Sequence, residues 1–255
     1  MDRVDETVVI KLGGSVITHK DRPMSLRINA LDQLSKVMAH HCSKKIIVHG
    51  GGSFGHYYAK KAGLSTECKE IINIEGVYLT RKSMFDLDQK IVGSLSSRGI
   101  KPYTIAPFFV GGNSIAMKSF FLDLLNQGLT PVLFGDVIPC HGGFKILSGD
   151  DIAYSVCSMI KPTRMIFCMD VDGVYHSSKM KGDVICELDS RTVKNFVGTS
   201  KKYDVTGGIT RKLKIALKIS KLGTDVFFVN GLKPHVVFKA LNGVIGMGTY
   251  MRGRR

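Results

Sequence analysis

The chain has 255 residues, 44% of them apolar, enough for one large α/β domain or two small ones around a core that needs no cross-links. Six cysteines (Cys42, Cys68, Cys140, Cys157, Cys168, Cys186) include no C-x-x-C pair and are joined by no signal peptide or long apolar span, which argues against structural zinc and a membrane segment; we expect reduced thiols in a cytoplasmic protein. A formal charge of +15 suggests an anionic partner, nucleic acid among the candidates, yet the basic residues are scattered outside Arg211, Lys212, Lys214, Lys218, Lys221 and the tail Arg252, Arg254, Arg255, and no aromatic-rich RNA motif joins them; a solvated face accounts for most of these charges, phosphorylated small molecules account for a few placed lysines just as well, and no nucleic-acid partner is expected.

In chain order, apolar runs alternate with helical patterns. The spacing predicts a strand over 7–12, a helix over 26–42, a strand over 45–48 and a helix beginning near Phe54. More helix covers much of 71–97, followed by strands over 102–105 and 131–137, with Pro139-Cys140-His141-Gly142-Gly143-Phe144 as a hairpin tip. The pattern resumes with a helix over 151–159, a strand over 164–169, a helix over 211–221, a strand over 225–229 and a last helix over 234–241. Such alternation predicts an α/β fold, an open, mostly parallel sheet with helices on both faces.

In sheets of this kind ligands sit beyond the carboxyl ends of the strands, and the glycine-rich stretches fall there. They are Lys11-Leu12-Gly13-Gly14-Ser15, then His49-Gly50-Gly51-Gly52-Ser53-Phe54-Gly55-His56, and Asp204-Val205-Thr206-Gly207-Gly208 before the basic helix. Each is a candidate phosphate cradle, because bare backbone exposes N–H groups and a following helix adds its positive end. Three cradles imply more than one anion. The spacing of Gly50, Gly52 and Gly55 also satisfies G-x-G-x-x-G, which with Glu70 or Glu75 as ribose partner would make an NAD(P)-dependent oxidoreductase, but that reading uses only one cradle of the three.

Taken together these motifs resemble the amino acid kinase superfamily over nearly the whole chain: the first two glycine loops, Gly135-Asp136, Ser148-Gly149-Asp150-Asp151, Asp170-Val171-Asp172-Gly173-Val174-Tyr175, and Thr206-Gly207-Gly208-Ile209 with Lys212. Within it, His56 and the run Ser15-Val16-Ile17-Thr18 leading to Lys20 resemble the isopentenyl phosphate kinases. The resemblance implies a single αβα domain over 1–255, with an acceptor-side lobe of about 1–160 and an ATP-side lobe of about 161–255, and a homodimer. It also implies ATP-dependent phosphorylation of isopentenyl phosphate, an isoprenoid monophosphate, with Mg²⁺ arriving on ATP. A related kinase acting on another small phosphate or a phosphonate such as fosfomycin stays open.

By the same resemblance, Lys11 and Lys20 would hold the transferring phosphoryl group, Lys212 would contact the β- and γ-phosphates, and Asp151 would orient the lysines, a role Asp150 could share. Gly13, Gly14, Gly51, Gly52, Ser53, Gly55 and His56 would bind the acceptor. Gly14, Asp170, Asp172, Gly173, Val174, Tyr175, Gly207 and Gly208 would bind ATP with Lys11 and Lys212. The physics agrees, since phosphoryl transfer needs two anions aligned and charge neutralised rather than a covalent nucleophile. Asp151 reads equally as a helix-cap residue, whereas Lys11, between Ile10 and Leu12, needs a partner for its charge. His56 would hold the acceptor phosphate as a donor, while His49 reads as structural and His19, His40 and His41 as surface residues. Ile71, Ile74, Val77, Tyr78, Met84, Phe85, Ile91 and Val92 are candidates for an apolar tail pocket, with core packing favoured for most of them.

Overall fold

A computed structural model describes residues 6–70, 73–107, 115–176, 183–199 and 208–254. Strand β1 (Thr7–Leu12) is β-branched and buried on both faces, the mark of a central parallel strand. It lies between β2 (Lys44–His49) and β7 (Arg164–Met169), with Ile10 opposite both Ile47 and Ile166. With β3 (Pro102–Thr104), β4 (Thr130–Phe134), β8 (Asp225–Asn230) and β9 (Thr249–Met251) the sheet runs β3-β4-β2-β1-β7-β8-β9, and only β9 is antiparallel. The order reverses between β1 and β7. Such a switch point opens a crevice beyond the strand ends, where both flanking connections lead away.

Two cores follow from the alternation along β1. Val8, Ile10 and Leu12 face α2 (Ile28–Ala39), α4 (Ile74–Ser96) and α9 (Pro234–Leu241), through Leu31, Leu87, Ile91 and Val237. Val9 faces α5 (Ile115–Asn126), α6 (Gly149–Ile160) and α8 (Gly208–Ser220), through Leu125, Val156 and Leu213. Lys11 shares the parity of Val9, so its side chain leaves the strand on the face where α6 and α8 begin. That one-residue offset aims the lysine.

The expected strand over 131–137 is broken. β4 stops at Phe134, and Asp136 starts a hairpin, β5 (Asp136–Cys140) with β6 (Gly143–Leu147). At the break the Gly135 amide donates to the His49 carbonyl, and a Cβ on Gly135 would lie 3.2 Å from the Gly149 nitrogen, so the chain turns off the sheet. Three helices and a strand were not expected: α1 (Gly14–Ile17) and β9 are too short to show a period, α5 runs its apolar residues contiguously, and α7 (Ser190–Thr199) sets only Val193, Phe196 and Val197 at helical spacing in a polar segment. The helix α3 (Gly52–Lys61) starts inside the glycine run, two residues before Phe54.

Two residue-level expectations are corrected. The thiols are not all reduced, because Cys68 and Cys140 form a disulfide. The segment after α3 runs antiparallel beside the hairpin, with Lys69 and Phe144 exchanging backbone hydrogen bonds, and this brings together sulfurs 72 positions apart. His41 is buried rather than superficial, since its Nδ1 pairs with the Ser43 hydroxyl at 2.8 Å and its ring meets Phe238 edge-on. No described helix is long and apolar enough to cross a membrane.

Candidate active site

The first two glycine loops touch each other backbone to backbone at the switch point. The Gly13 amide donates to the Cys168 carbonyl and the Gly50 amide to the Leu12 carbonyl, each at 3.0 Å. A Cβ on Gly14 would lie 2.4 Å from the Gly52 nitrogen, and one on Gly52, whose φ is +47°, would lie 2.0 Å from Thr18 Oγ1. Only glycine fits both places. Gly51 and Gly55 are bare for another reason, since a Cβ on either would meet the Met84 sulfur of α4 at 2.8 Å. Ligand approach is therefore not needed to explain these glycines. Among the described residues the Gly51 and Gly52 amides have no acceptor, and they open α3.

Lys11, buried to 8% exposure, finds the partner its position demanded in Asp150, on the first turn of α6. Lys212, one turn into α8, donates to both oxygens of the same carboxylate at 3.0 and 2.9 Å. Burial pushes the Asp150 carboxyl up, but the charges of Lys11 and Lys212 outweigh it and hold the group at about 2. Burial, and then the Lys11 charge, pull Lys212 down to about 8 against the opposing Asp150 carboxylate. Two cations thus share one anion. The site is left with net positive charge, as a cradle for a transferring phosphoryl group requires.

Asp151, expected to orient the lysines, points elsewhere. Its amide donates to the Ser148 hydroxyl, the N-cap of α6, which in turn donates to its carboxylate at 2.7 Å. The carboxylate also pairs with Arg211. Neighbouring residues of α8, Arg211 and Lys212, therefore meet neighbouring residues of α6, Asp151 and Asp150. Arg211 was missed by the sequence reading, and the facing charge doublets are the signal that marks it.

His56 lies on α3 with its ring exposed. Partial desolvation, and then the charge of Lys11, lower its pKa. His49 is fully buried, as expected of a structural residue. Its Nε2 meets Asp88 Oδ1 at 3.3 Å, its ring stacks on Phe134, and the second Asp88 oxygen accepts from the Thr104 hydroxyl. Asp136 of the Gly135-Asp136 turn pairs with Arg81 at 3.0 Å; burial raises its carboxyl to about 6 despite the Val137 amide and Arg81.

The residues expected on the nucleotide side follow β7. Asp170 pairs with Lys20 at 2.7 Å, and Asp172 with Lys233 and Asn230. Lys20 is thus brought to Asp170, not to the Lys11–Asp150–Lys212 cluster. Gly173 is packed so closely that a Cβ would lie 2.5 Å from Val184, and the Val174 amide donates to the Thr249 hydroxyl, so both support the loop from behind. Tyr175 bridges to Val184. Gly208 opens α8, while Gly207 lies outside the described residues.

The candidate tail pocket divides. Val77, Met84 and Ile91 are core, and Val92 is half-buried. Ile74, Tyr78 and Phe85 are exposed on α4, the last stacked edge-on against Phe134. Ile71 lies outside the described residues.

A sequence profile described as the amino acid kinase family matches residues 6–230. The isopentenyl phosphate kinase of Methanocaldococcus jannaschii is 32% identical, over 93% of this chain and 95% of that protein. The isopentenyl phosphate kinase of Methanothermobacter thermautotrophicus is 31% identical, over 97% and 99%. The crystal structure of a T. acidophilum isopentenyl phosphate kinase product complex superposes with a TM-score of 0.80 at 26% identity, covering 96% of this chain and all of that one.

Proposed function

The chain belongs to the amino acid kinase family, and from that premise we propose that it transfers the γ-phosphoryl group of ATP to isopentenyl phosphate. A non-bridging oxygen of the acceptor phosphate forms the new P–O bond, the bond to the β–γ bridging oxygen breaks, and isopentenyl diphosphate and ADP leave. The observation that carries the reading is the convergence of Lys11 and Lys212 on Asp150 at the switch point. Relatives of that name along almost the full chain supply the acceptor.

Lys11 and Lys212 neutralise charge on the transferring group, and Asp150 keeps their ammonium groups at a fixed separation. His56 and the Gly51 and Gly52 amides hold the acceptor phosphate; because that group is largely ionised at neutral pH, its second pKa being about 6, His56 positions it rather than serving as an obligatory base. Mg²⁺ fits this donor set as an ion held mainly by the phosphates of ATP and water, since the Asp150 carboxylate is taken by the lysines; it would neutralise charge on the β- and γ-phosphates. The acceptor lies on the half of the sheet built from residues up to about 160, and ATP on the half beyond. A homodimer is the expected assembly, read from the mass in solution.

The test is ATP consumption with isopentenyl phosphate, dimethylallyl phosphate, fosfomycin and acetylglutamate offered in turn. Turnover should be greatest with isopentenyl phosphate. Preference for fosfomycin or acetylglutamate would leave the family and withdraw the acceptor.

A further inference from the structure

Residues 18–26 form a strap between the second glycine loop and the end of β7. Thr18 and Leu26 pair as an antiparallel bridge, and the His19 amide donates to the Ser25 carbonyl, so the ends of the strap are closed. On one side it is braced on the acceptor loop: the Met24 amide donates to the Ser53 carbonyl, the Ser25 amide to the Ser53 hydroxyl at 3.3 Å, and the Tyr58 hydroxyl to the Met24 sulfur at 3.7 Å. Thr18 Oγ1 also accepts the Ser53 amide. Met24 holds φ at +49°, a conformation a non-glycine residue adopts at a cost of order 1 kcal/mol. On the other side Lys20 of the strap pairs through its long side chain with Asp170 at the end of β7.

Asp170 is poorly placed to bind ATP by itself. Burial raises its pKa, but hydrogen bonds from Lys20 and Ser15 outweigh this and lower it, so the group is an anion at the end of β7, on the half of the sheet that the proposed function gives to ATP. A carboxylate there repels phosphate unless a cation accompanies it. Lys20, otherwise 68% exposed on a chain segment without regular structure, has no other described feature that fixes its ammonium.

We infer that Asp170 is a positioning residue: it holds Lys20 over the donor side of the cleft, and the strap makes that position depend on the acceptor loop at Ser53. Lys20 then reaches the transferring group from a preset location instead of from a freely moving loop. The inference rests on the proposed transfer to isopentenyl phosphate only for what Lys20 does once held.

The experiment is a double-mutant cycle with Lys20→Ala and Asp170→Asn, read as kcat and as KM for each substrate. Asp170→Asn should lower kcat about ten- to hundredfold with KM for ATP changed less than about threefold, and should have no further effect once Lys20 is alanine. The contact is read without substrate from the ¹⁵N signal of the Lys20 ammonium, which Asp170→Asn should shift. Additive losses in kcat, a raised KM for ATP at unchanged kcat, or an unmoved ammonium signal would each overturn the inference. If the parent fails to phosphorylate isopentenyl phosphate while the ammonium signal responds, the proposed acceptor falls and the pairing stands.

Discussion

Adjacent carboxylates with different partners give a sharp contrast at the scale of single residues. Asp150→Asn leaves Lys11 and Lys212 facing each other without their shared anion, and turnover should fall about 10²- to 10³-fold in initial-rate assays. Asp151→Asn loses the charge of a partly exposed pair with Arg211 and keeps an oxygen to accept the Ser148 hydroxyl, so its rate should stay within about threefold of the parent. Lys212 also sets a pH limb. With its pKa lowered to about 8, it is charged below that value and loses its charge as pH rises through it, so kcat/KM for ATP should decline above about pH 8. Lys11→Ala removes a charge that lowers this pKa and should move the limb upward, whatever it costs in rate; a limb at the same pH would assign it to another group. His56 is tested by two substitutions. His56→Gln keeps a donor and should retain part of the activity, His56→Ala less, and KM for ATP should change less than about threefold in both. Equal rates for parent and His56→Ala would remove the residue from acceptor binding.

At the scale of elements, α4 serves two purposes on different faces. Val77, Met84 and Ile91 hold it to the sheet and to α3, and truncating one of them should cost about 2–5 kcal/mol of stability. Tyr78 and Phe85 are 56% and 37% exposed, so they are available to a ligand and cheap to shrink. If the phosphate is held at His56 and the tail runs along this helix, Tyr78→Ala and Phe85→Ala should admit longer isoprenoid monophosphates in a chain-length series. An unchanged profile in both would place the tail elsewhere. The close seating of α3 against α4 also explains why the second glycine loop is so rich in glycine, since Gly51 and Gly55 accommodate Met84 while Gly52 accommodates Thr18 and the first loop.

For the whole molecule, the disulfide joins the segment after α3 to the hairpin across 72 positions, so it limits the unfolded chain far more than a local bridge would. Cys68→Ser, or reductant added to the parent, should lower the Tm and remove roughly 2–5 kcal/mol of stability. A Tm unmoved by both would show that the two sulfurs are not joined in solution. The alternation of the longer strands and helices, the glycine loops at the strand ends, the need of Lys11 for a partner and the structural role of His49 were determined by the sequence alone, because each rests on spacing within a few residues or on the chemistry of one position. Tertiary structure decided the rest. Lys11 and Asp150 are 139 positions apart, and Asp150 rather than Asp151 meets it because successive residues of a helix point about 100° apart and the packing of α6 selects which one faces the sheet. Lys20 with Asp170, Cys68 with Cys140, and the turn at Gly135 are likewise meetings of distant segments, which leave no local pattern since the partner's position is set by how the whole sheet is wound.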